Sequence, residues 1–109
     1  MKAKDQVTIK RLRAIGINCF IKYFEVFRAN KDERSNEIIL NAFSNNNEDW
    51  TKKSYHSRAS KGKAIFRDSQ ELDALTYIID SDHNGKISLE IVEMAMNLRS
   101  NILNGFDDN

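Results

Sequence analysis

The sequence predicts an all-α protein: a single domain over residues 1–109, built from about five helices with a helix-turn-helix-like centre. A chain of 109 residues has the length of one domain. It contains no proline and only four glycines, so few positions interrupt a helix. Apolar residues recur at spacings of three and four, and no stretch of any length shows the alternation typical of a β-strand.

The first helix is predicted to run from Asp5, a residue type that favours the N-cap, to about Asn30. Its broad apolar arc indicates a largely buried central helix. Gly16 lies inside this segment, where a close crossing by another helix would explain a residue that weakens helices. The apolar positions include Ile9, Leu12, Ile17, Phe20, Phe24 and Phe27.

Two further helices are predicted on either side of a polar loop at residues 44–49. Ser35 is expected to cap the short second helix. Thr51 is expected to cap the third helix, which continues to about Arg67, and Trp50 is expected to pack back against it. The buried stripe of the third helix comprises Tyr55, Ala59, Gly62 and Phe66.

The last two helices are predicted from their starting residues. Asp68 with Glu71 three residues later has the pattern of a capping box and opens the fourth helix. Ser88 caps the fifth helix, and Gly105 ends it. The expected apolar faces are Leu72, Leu75, Ile78 and Ile79 in the fourth helix and Ile91, Ala95, Leu98 and Ile102 in the fifth.

The composition excludes several classes of protein. A single cysteine cannot build a disulfide scaffold, and Cys19 is expected in the core. No apolar run approaches the roughly 18 residues of a membrane span, and the charged N-terminus does not resemble a secretory signal, so we expect a cytoplasmic protein. Two histidines, no glycine-rich phosphate loop and no zinc-type spacing lead us to expect neither enzymatic activity nor a bound cofactor.

Charge is divided unevenly along the chain. Residues 1–67 hold 15 Lys and Arg and 7 Asp and Glu, a balance of +8, whereas residues 68–109 hold 2 and 9, a balance of −7. Two hypotheses explain this division. The two parts neutralise each other in the folded chain, or they present faces to different partners.

The basic third helix is the candidate nucleic-acid site. Together with the second helix it resembles a helix-turn-helix, in which the last helix enters the DNA major groove. Residues 51–67 contain no acid, and one stripe recurs at steps of three and four over about 21 Å. The alternative is a solvated helix, or one paired with the acids of the last two helices. The candidate contacts to DNA or RNA are Lys52, Lys53, His56, Arg58, Ser60, Lys61, Lys63 and Arg67.

Residues 80–88 resemble the first nine positions of an EF-hand loop, which makes calcium binding the alternative function. Gly85 permits the sharp turn that such a loop needs. The twelfth position requires a bidentate Glu but holds Ile91, which is expected to face the core. A plain connector between helices therefore also explains the pattern. The candidate metal ligands are Asp80, Asp82, Asn84, Lys86 and Ser88.

The fifth helix carries more apolar residues than one buried stripe needs. This surplus predicts a seam for a second copy of the chain, as in a homodimer, or for another protein. The alternative is a core helix with a few exposed methionines. The residues concerned are Met94, Met96, Leu98, Ile102, Leu103 and Phe106.

Residues 11–17 (RLRAIGI), 20–25 (FIKYFE), 57–60 (SRAS) and 64–66 (AIF) resemble small uncharacterised bacterial proteins carried on mobile elements, of the integron gene-cassette type. The resemblance covers roughly residues 12–75. It implies a stand-alone bacterial protein and a connector rather than a metal site after Asp80. It carries over no functional residue.

Overall fold

A computed structural model describes residues 3–44, 50–80 and 87–105, which form helices and no strand. The predicted all-α class is therefore confirmed for the described part of the chain. Most of the predicted loop at 44–49, and Phe106 of the last helix's apolar set, lie outside the described residues. The helices are α1 (Ala3–Ile15), α2 (Ile17–Lys22), α3 (Phe24–Ala29), α4 (Glu37–Phe43), α5 (Lys52–Arg67), α6 (Glu71–Asp80) and α7 (Leu89–Leu103).

The predicted first helix is three helices, which accounts for seven elements where about five were expected. α1 already begins at Ala3, so the expected N-cap at Asp5 is wrong. Gly16 breaks the predicted helix, because it has a φ of 90°, a conformation that residues with a Cβ rarely adopt. Another helix also approaches here, since a Cβ on Gly16 would lie 3.1 Å from Nη1 of Arg58 in α5. A second break at Tyr23 separates α2 from α3.

The end of this segment lies near Asn30, as predicted, but not through a left-handed conformation. Asn30 has a φ of −114°. Its side-chain Nδ2 instead donates to the carbonyl oxygen of Val26 at 2.8 Å. The Val26 carbonyl also accepts from the backbone N–H of Asn30 at 3.2 Å, so the backbone and the side chain of Asn30 together close the last turn of α3.

Two predicted N-caps are confirmed. The Thr51 hydroxyl accepts a hydrogen bond from the backbone N–H of Ser54 at 3.1 Å, and α5 follows from Lys52 to Arg67. The Ser88 hydroxyl accepts from the N–H of Ile91 at 3.2 Å at the start of α7. These bonds are local, so the residue type and its position predict them.

The start of α4 differs by one residue from the prediction. Asn36, not Ser35, is the N-cap residue, although its side chain makes no capping bond. The Ser35 hydroxyl nevertheless accepts from the N–H of Glu37 at 3.0 Å. Ser35, one residue before the N-cap, therefore satisfies the first backbone N–H of the helix.

The predicted capping box at Asp68 is wrong, because Asp68 ends α5 instead of starting α6. Ser69 follows with a φ of 57°, in the left-handed region. The N–H of Ser69 donates to Phe66 O at 3.2 Å, and the N–H of Gln70 donates to Ile65 O at 2.7 Å. This pair of bonds is the Schellman motif, which closes the helix and turns the chain into α6.

α5 is the helix around which the described chain packs, since α1, α3, α4 and α6 all contact it. Its buried stripe is confirmed at Ala59, Gly62 and Phe66, and Tyr55 is half-buried. The Trp50 and Tyr55 rings lie 5.5 Å apart across the N-cap, the contact of a hydrophobic staple. The large fully buried side chains are Leu12, Ile15, Phe20, Phe24, Phe27, Ile39, Phe43, Ile65, Leu75 and Ile78.

Gly62 allows α3 to approach α5 closely. A Cβ placed on Gly62 would lie 2.5 Å from Cδ1 of the Phe27 ring, which is too close for any side chain. Phe27 is fully buried and stacks on Phe20 with ring centroids 6.3 Å apart. The ring therefore has little freedom to move away, and glycine is required by packing.

α6 and α7 form an outer pair. α6 packs on α1 and α5 and buries Leu75 and Ile78, whereas α7 packs on α6 and α2. Within α7 only Ala95 is fully buried. The other members of its predicted apolar face are half-buried and pack against the core; they are Ile91, Leu98 and Ile102.

We predict that Ser69→Gly stabilises the protein by about 1 kcal/mol. A left-handed residue with a Cβ costs about 1–2 kcal/mol, and the entropy of glycine in the unfolded chain offsets part of the gain. Urea denaturation measures the change. Ser57→Gly, in the middle of α5, is the control and should lose about 0.5 kcal/mol. Destabilisation by both substitutions would contradict the role given to Ser69.

We predict that Gly62→Ala destabilises the protein by about 1–3 kcal/mol, although alanine favours helices, because its methyl group would overlap the Phe27 ring. A double-mutant cycle with Phe27→Leu, followed by chemical denaturation, tests the cause. The penalty of Gly62→Ala should be smaller in the Phe27→Leu background. An equal penalty in both backgrounds would place the conflict elsewhere.

Candidate nucleic-acid interface

All eight predicted nucleic-acid contacts lie on α5 or at its ends, but they differ in exposure. Arg58 is half-buried, and Lys63 is buried with only 4% of its surface exposed. The remaining residues are exposed and form what we call the basic strip: Lys52, Lys53, His56, Ser60, Lys61 and Arg67.

Neighbouring elements contact α5 within and beside the basic strip. Arg11 of α1 donates from Nη1 to the carbonyl oxygen of Ala64 at 3.4 Å. Asn36, at the start of α4, donates from Nδ2 to the hydroxyl of Ser60, a member of the strip, at 3.2 Å. The cations of the strip stay exposed beside these contacts.

Arg58 is held at the end of α1. Its Nη1 donates to the carbonyl oxygen of Ile15, the last residue of α1. Its Nε donates to the Ser54 hydroxyl at 2.9 Å, and its guanidinium lies 4.0 Å from the centre of the Trp50 ring. The last carbonyls of a helix lack intrahelical donors and carry partial negative charge, so a guanidinium there is favourable.

Lys63 and Arg67 are held by the connector between α3 and α4. The Lys63 Nζ donates to the carbonyl oxygen of Glu33 at 2.8 Å. The Arg67 Nε donates to the carbonyl oxygen of Lys31 at 3.0 Å. Both cations therefore fix the path of the chain that leaves α3.

The position of Lys63 has an electrostatic cost. Burial lowers the pKa of the Lys63 ammonium, the positive charge of Arg67 lowers that pKa further, and the Glu33 carboxylate opposes both effects. An external phosphate could reach Lys63 only if the amine left the Glu33 carbonyl. We therefore do not include Lys63 in the basic strip.

The partners of these three cations are neutral carbonyl groups, so the hydrogen bonds use the donors without cancelling the charges. The nearest acid in sequence, Asp68, is engaged by α1 instead, since its carboxylate lies 2.7 Å from Nη1 of Arg11. In the connector, the exposed charges of Lys31, Asp32, Glu33 and Arg34 balance. The net positive charge of α5 and the adjoining connector therefore lies on α5.

Sequence reasoning missed the burial of Lys63 and the role of Arg11. Lys63 carries a detectable signal, because it follows Ala59 by four residues and so lies on the buried side of the helix. Arg11 has none. Its Nη1 also contacts Gln70 Oε1 at 2.7 Å, and these partners lie more than 50 residues away in sequence.

Most of the candidate calcium loop, residues 81–86 with Asp82, Asn84 and Lys86, lies outside the described residues. Asp80 is the exposed last residue of α6, and the Ser88 hydroxyl caps α7. Ile91 packs against the core, as predicted. In the described ranges no group of three or more His, Cys, Asp or Glu residues could hold a metal ion. Calcium binding stays a prediction.

Two further expectations can be compared with the described residues. Cys19 is buried in the core, as predicted. Among residues 3–44, 50–80 and 87–105, none of the helices is both long enough and apolar enough to cross a bilayer. The helix-turn-helix-like centre stays a prediction, because the connection between α4 and α5 lies largely outside these ranges.

Comparisons with protein-family models, with curated proteins and with solved structures found no match to this chain. The resemblance to integron gene-cassette proteins therefore stays a prediction.

We predict that Arg58→Lys destabilises the protein by about 1–3 kcal/mol although it conserves the charge. A lysine cannot stack on Trp50 and donate to both Ile15 O and Ser54 Oγ with one planar group. Thermal or urea denaturation measures the loss. Lys61→Arg, an exposed charge-conserving change on the same helix, is the control and should have no effect. Wild-type stability in Arg58→Lys would contradict the structural role.

Proposed function

We propose that this protein is a non-enzymatic nucleic-acid-binding protein that contacts the phosphates of DNA or RNA through the basic strip of α5. One observation carries the proposal: exposed cations follow one another along a helix that contains no acid between residues 51 and 67. Lys52, Lys53, Lys61 and Arg67 supply the charge. His56 and Ser60 lie among them.

The chemistry of the strip favours phosphate contacts over base reading. Three of its four cations are lysines, which act as flexible point charges and not as planar forks that match a base edge. Neutralising phosphates releases condensed counterions, and this release drives binding without regard to sequence. Such contacts position a protein on a duplex but do not specify a site.

The neighbours of α5 favour the same mode of binding. A helix that reads the major groove must present its face to a channel about 12 Å wide. Arg11 of α1 contacts α5 at Ala64, and Asn36 at the start of α4 contacts it at Ser60 within the strip. These neighbours limit how deeply α5 can enter a groove, so the helix is better suited to lie along the phosphate backbone. From Lys53 to Arg67 the strip is about 21 Å long, enough to pass several phosphates.

We predict a strong salt dependence of duplex binding. If Lys52, Lys53, Lys61 and Arg67 each neutralise one phosphate, the slope of log affinity against log salt should be about −3.6. Fluorescence anisotropy with a labelled 20-base-pair duplex, titrated from about 50 to 300 mM salt, measures this slope. Equal binding at both ends of the range would exclude the proposal.

Variants locate the effect on α5. Lys53→Ala with Lys61→Ala should reduce the magnitude of the slope by about 1.8, because two phosphate contacts are lost. Lys22→Ala is the matched control, since Lys22 is exposed on α2, which packs on α1, α3 and α7. It should leave both affinity and slope unchanged. The control removes one charge where the test variant removes two, so an effect half as large in the control would mean that overall charge, and not the basic strip, governs binding.

A further inference from the structure

The basic strip contains a residue of the type that titrates near neutral pH. Histidine is the side chain that changes its charge between about pH 5 and 8, and the strip includes His56. His56 is exposed and lies one helical turn after Lys52 and Lys53. A proton on its ring therefore adds a fifth cation to the four that give the strip its charge.

His56 lies in a gap between the permanent cations of the strip. Lys53 and Lys61 are about 12 Å apart along the helix, and His56 is between them, about 60° around the helix from Lys53. A DNA strand carries one charge about every 3.4 Å along its axis, so phosphates laid along the strip pass this gap. A protonated ring meets them with two N–H donors and a positive charge, whereas the neutral ring has one donor and no charge.

α4 lies on the same side of α5 as His56. His56 precedes Ser60 by four residues and so shares its side of the helix, and Asn36 at the start of α4 donates to the Ser60 hydroxyl at 3.2 Å. The charged residue of α4 is Glu37, which is exposed. The connector before α4 meets α5 first at Lys63, about 10 Å along the helix from His56, and its own charges balance. Glu37 is therefore the acid of the chain that competes with a phosphate for the protonated ring.

The other helices packed on α5 bring their charges elsewhere. Arg58 bonds to the end of α1 and lies about 160° around α5 from His56, so α1 is on the opposite side. In α3, the carboxylate of Glu25 and the guanidinium of Arg28 pair with each other at 2.7 Å. α6 follows the C-terminal end of α5 and also packs on α1. The charged side chains that the structure describes on α1 and α6 are Lys10, Arg11, Arg13, Glu71, Asp73 and Asp80.

We propose that protonated His56 is a fifth phosphate contact of the basic strip, so that the protein binds nucleic acid more tightly at mildly acid pH. This role of His56 rests on the proposed binding of phosphates by the strip. Protonation and binding are linked, so a bound phosphate also favours the proton on His56 to the same extent. Binding therefore takes up protons near neutral pH.

Salt titrations of duplex binding at about pH 8 and about pH 5.5 test this role. Four contacts should give a slope of log affinity against log salt of about −3.6 at the higher pH. The fifth contact should bring the slope to about −4.5 at the lower pH, and affinity at about 100 mM salt should rise about eightfold. The probe is the labelled 20-base-pair duplex, followed by fluorescence anisotropy.

Variants assign the pH response to one side chain. His56→Gln should keep the shallower slope at both pH values, and His56→Lys should keep the steeper slope at both. His83→Gln is the matched control, because His83 is the other histidine of the sequence, and it should respond to pH as the wild type does. Glu37→Gln should also retain the response, since the partner of the proton is a phosphate and not Glu37. Carboxylates titrate in all the histidine variants alike, so their effect cancels in the comparison.

A wild-type slope that does not change with pH would overturn the role of His56 while leaving the proposed function intact, whereas no binding at any salt concentration would exclude both. A response that persists in His56→Gln, or disappears in His83→Gln or Glu37→Gln, would also overturn it. Calorimetry at about pH 6.5 in two buffers of different ionisation enthalpy should show proton uptake on binding by the wild type and less uptake by His56→Gln. Equal uptake would contradict the linkage. Circular dichroism of each variant confirms that it is folded.

Discussion

Three cations of α5 bind backbone carbonyl groups at the places where neighbouring chain segments end, and the packing around α5 depends on these bonds. A carbonyl shielded from water without a donor costs about 1–3 kcal/mol. Long basic side chains of α5 reach carbonyls at the break before Gly16 and in the connector after α3. The bonds to Ile15 and Glu33 are partly buried, whereas the bond to Lys31 is exposed. The pairs are Arg58 with Ile15, Lys63 with Glu33 and Arg67 with Lys31.

This constraint explains why a helix that packs at the centre of the molecule is also so basic. A neutral acceptor satisfies the hydrogen bonds of a cation but leaves its charge in place. Part of the positive charge of α5 therefore serves the fold, and part remains exposed at Lys52, Lys53 and Lys61. Counting charges on the helix overestimates the surface available to a ligand, because Lys63 is among them and is buried.

An ion pair between Arg11 and Asp68, at the turn between α5 and α6, joins the two oppositely charged parts of the chain. Beyond this turn the acidic part continues into α6 and α7, and α7 packs on α6 and α2. The exposed cations of the basic strip and the acidic residues of α6 and α7 accordingly lie on different helices.

The all-α class, the starts of α5 and α7 after Thr51 and Ser88, and the burial of Gly62 could all be predicted from local pattern. Helical periodicity and capping bonds span only three or four residues, so the residue types in a short stretch predict them. The same periodicity could have predicted the burial of Lys63, one turn after Ala59. Long-range packing, in contrast, sets the break at Gly16, the end of α5 at Asp68 and the exposure of each cation of α5. The cations that are held bind backbone carbonyls. Every residue carries such a carbonyl, so no pattern of residue types marks the few that lie within reach.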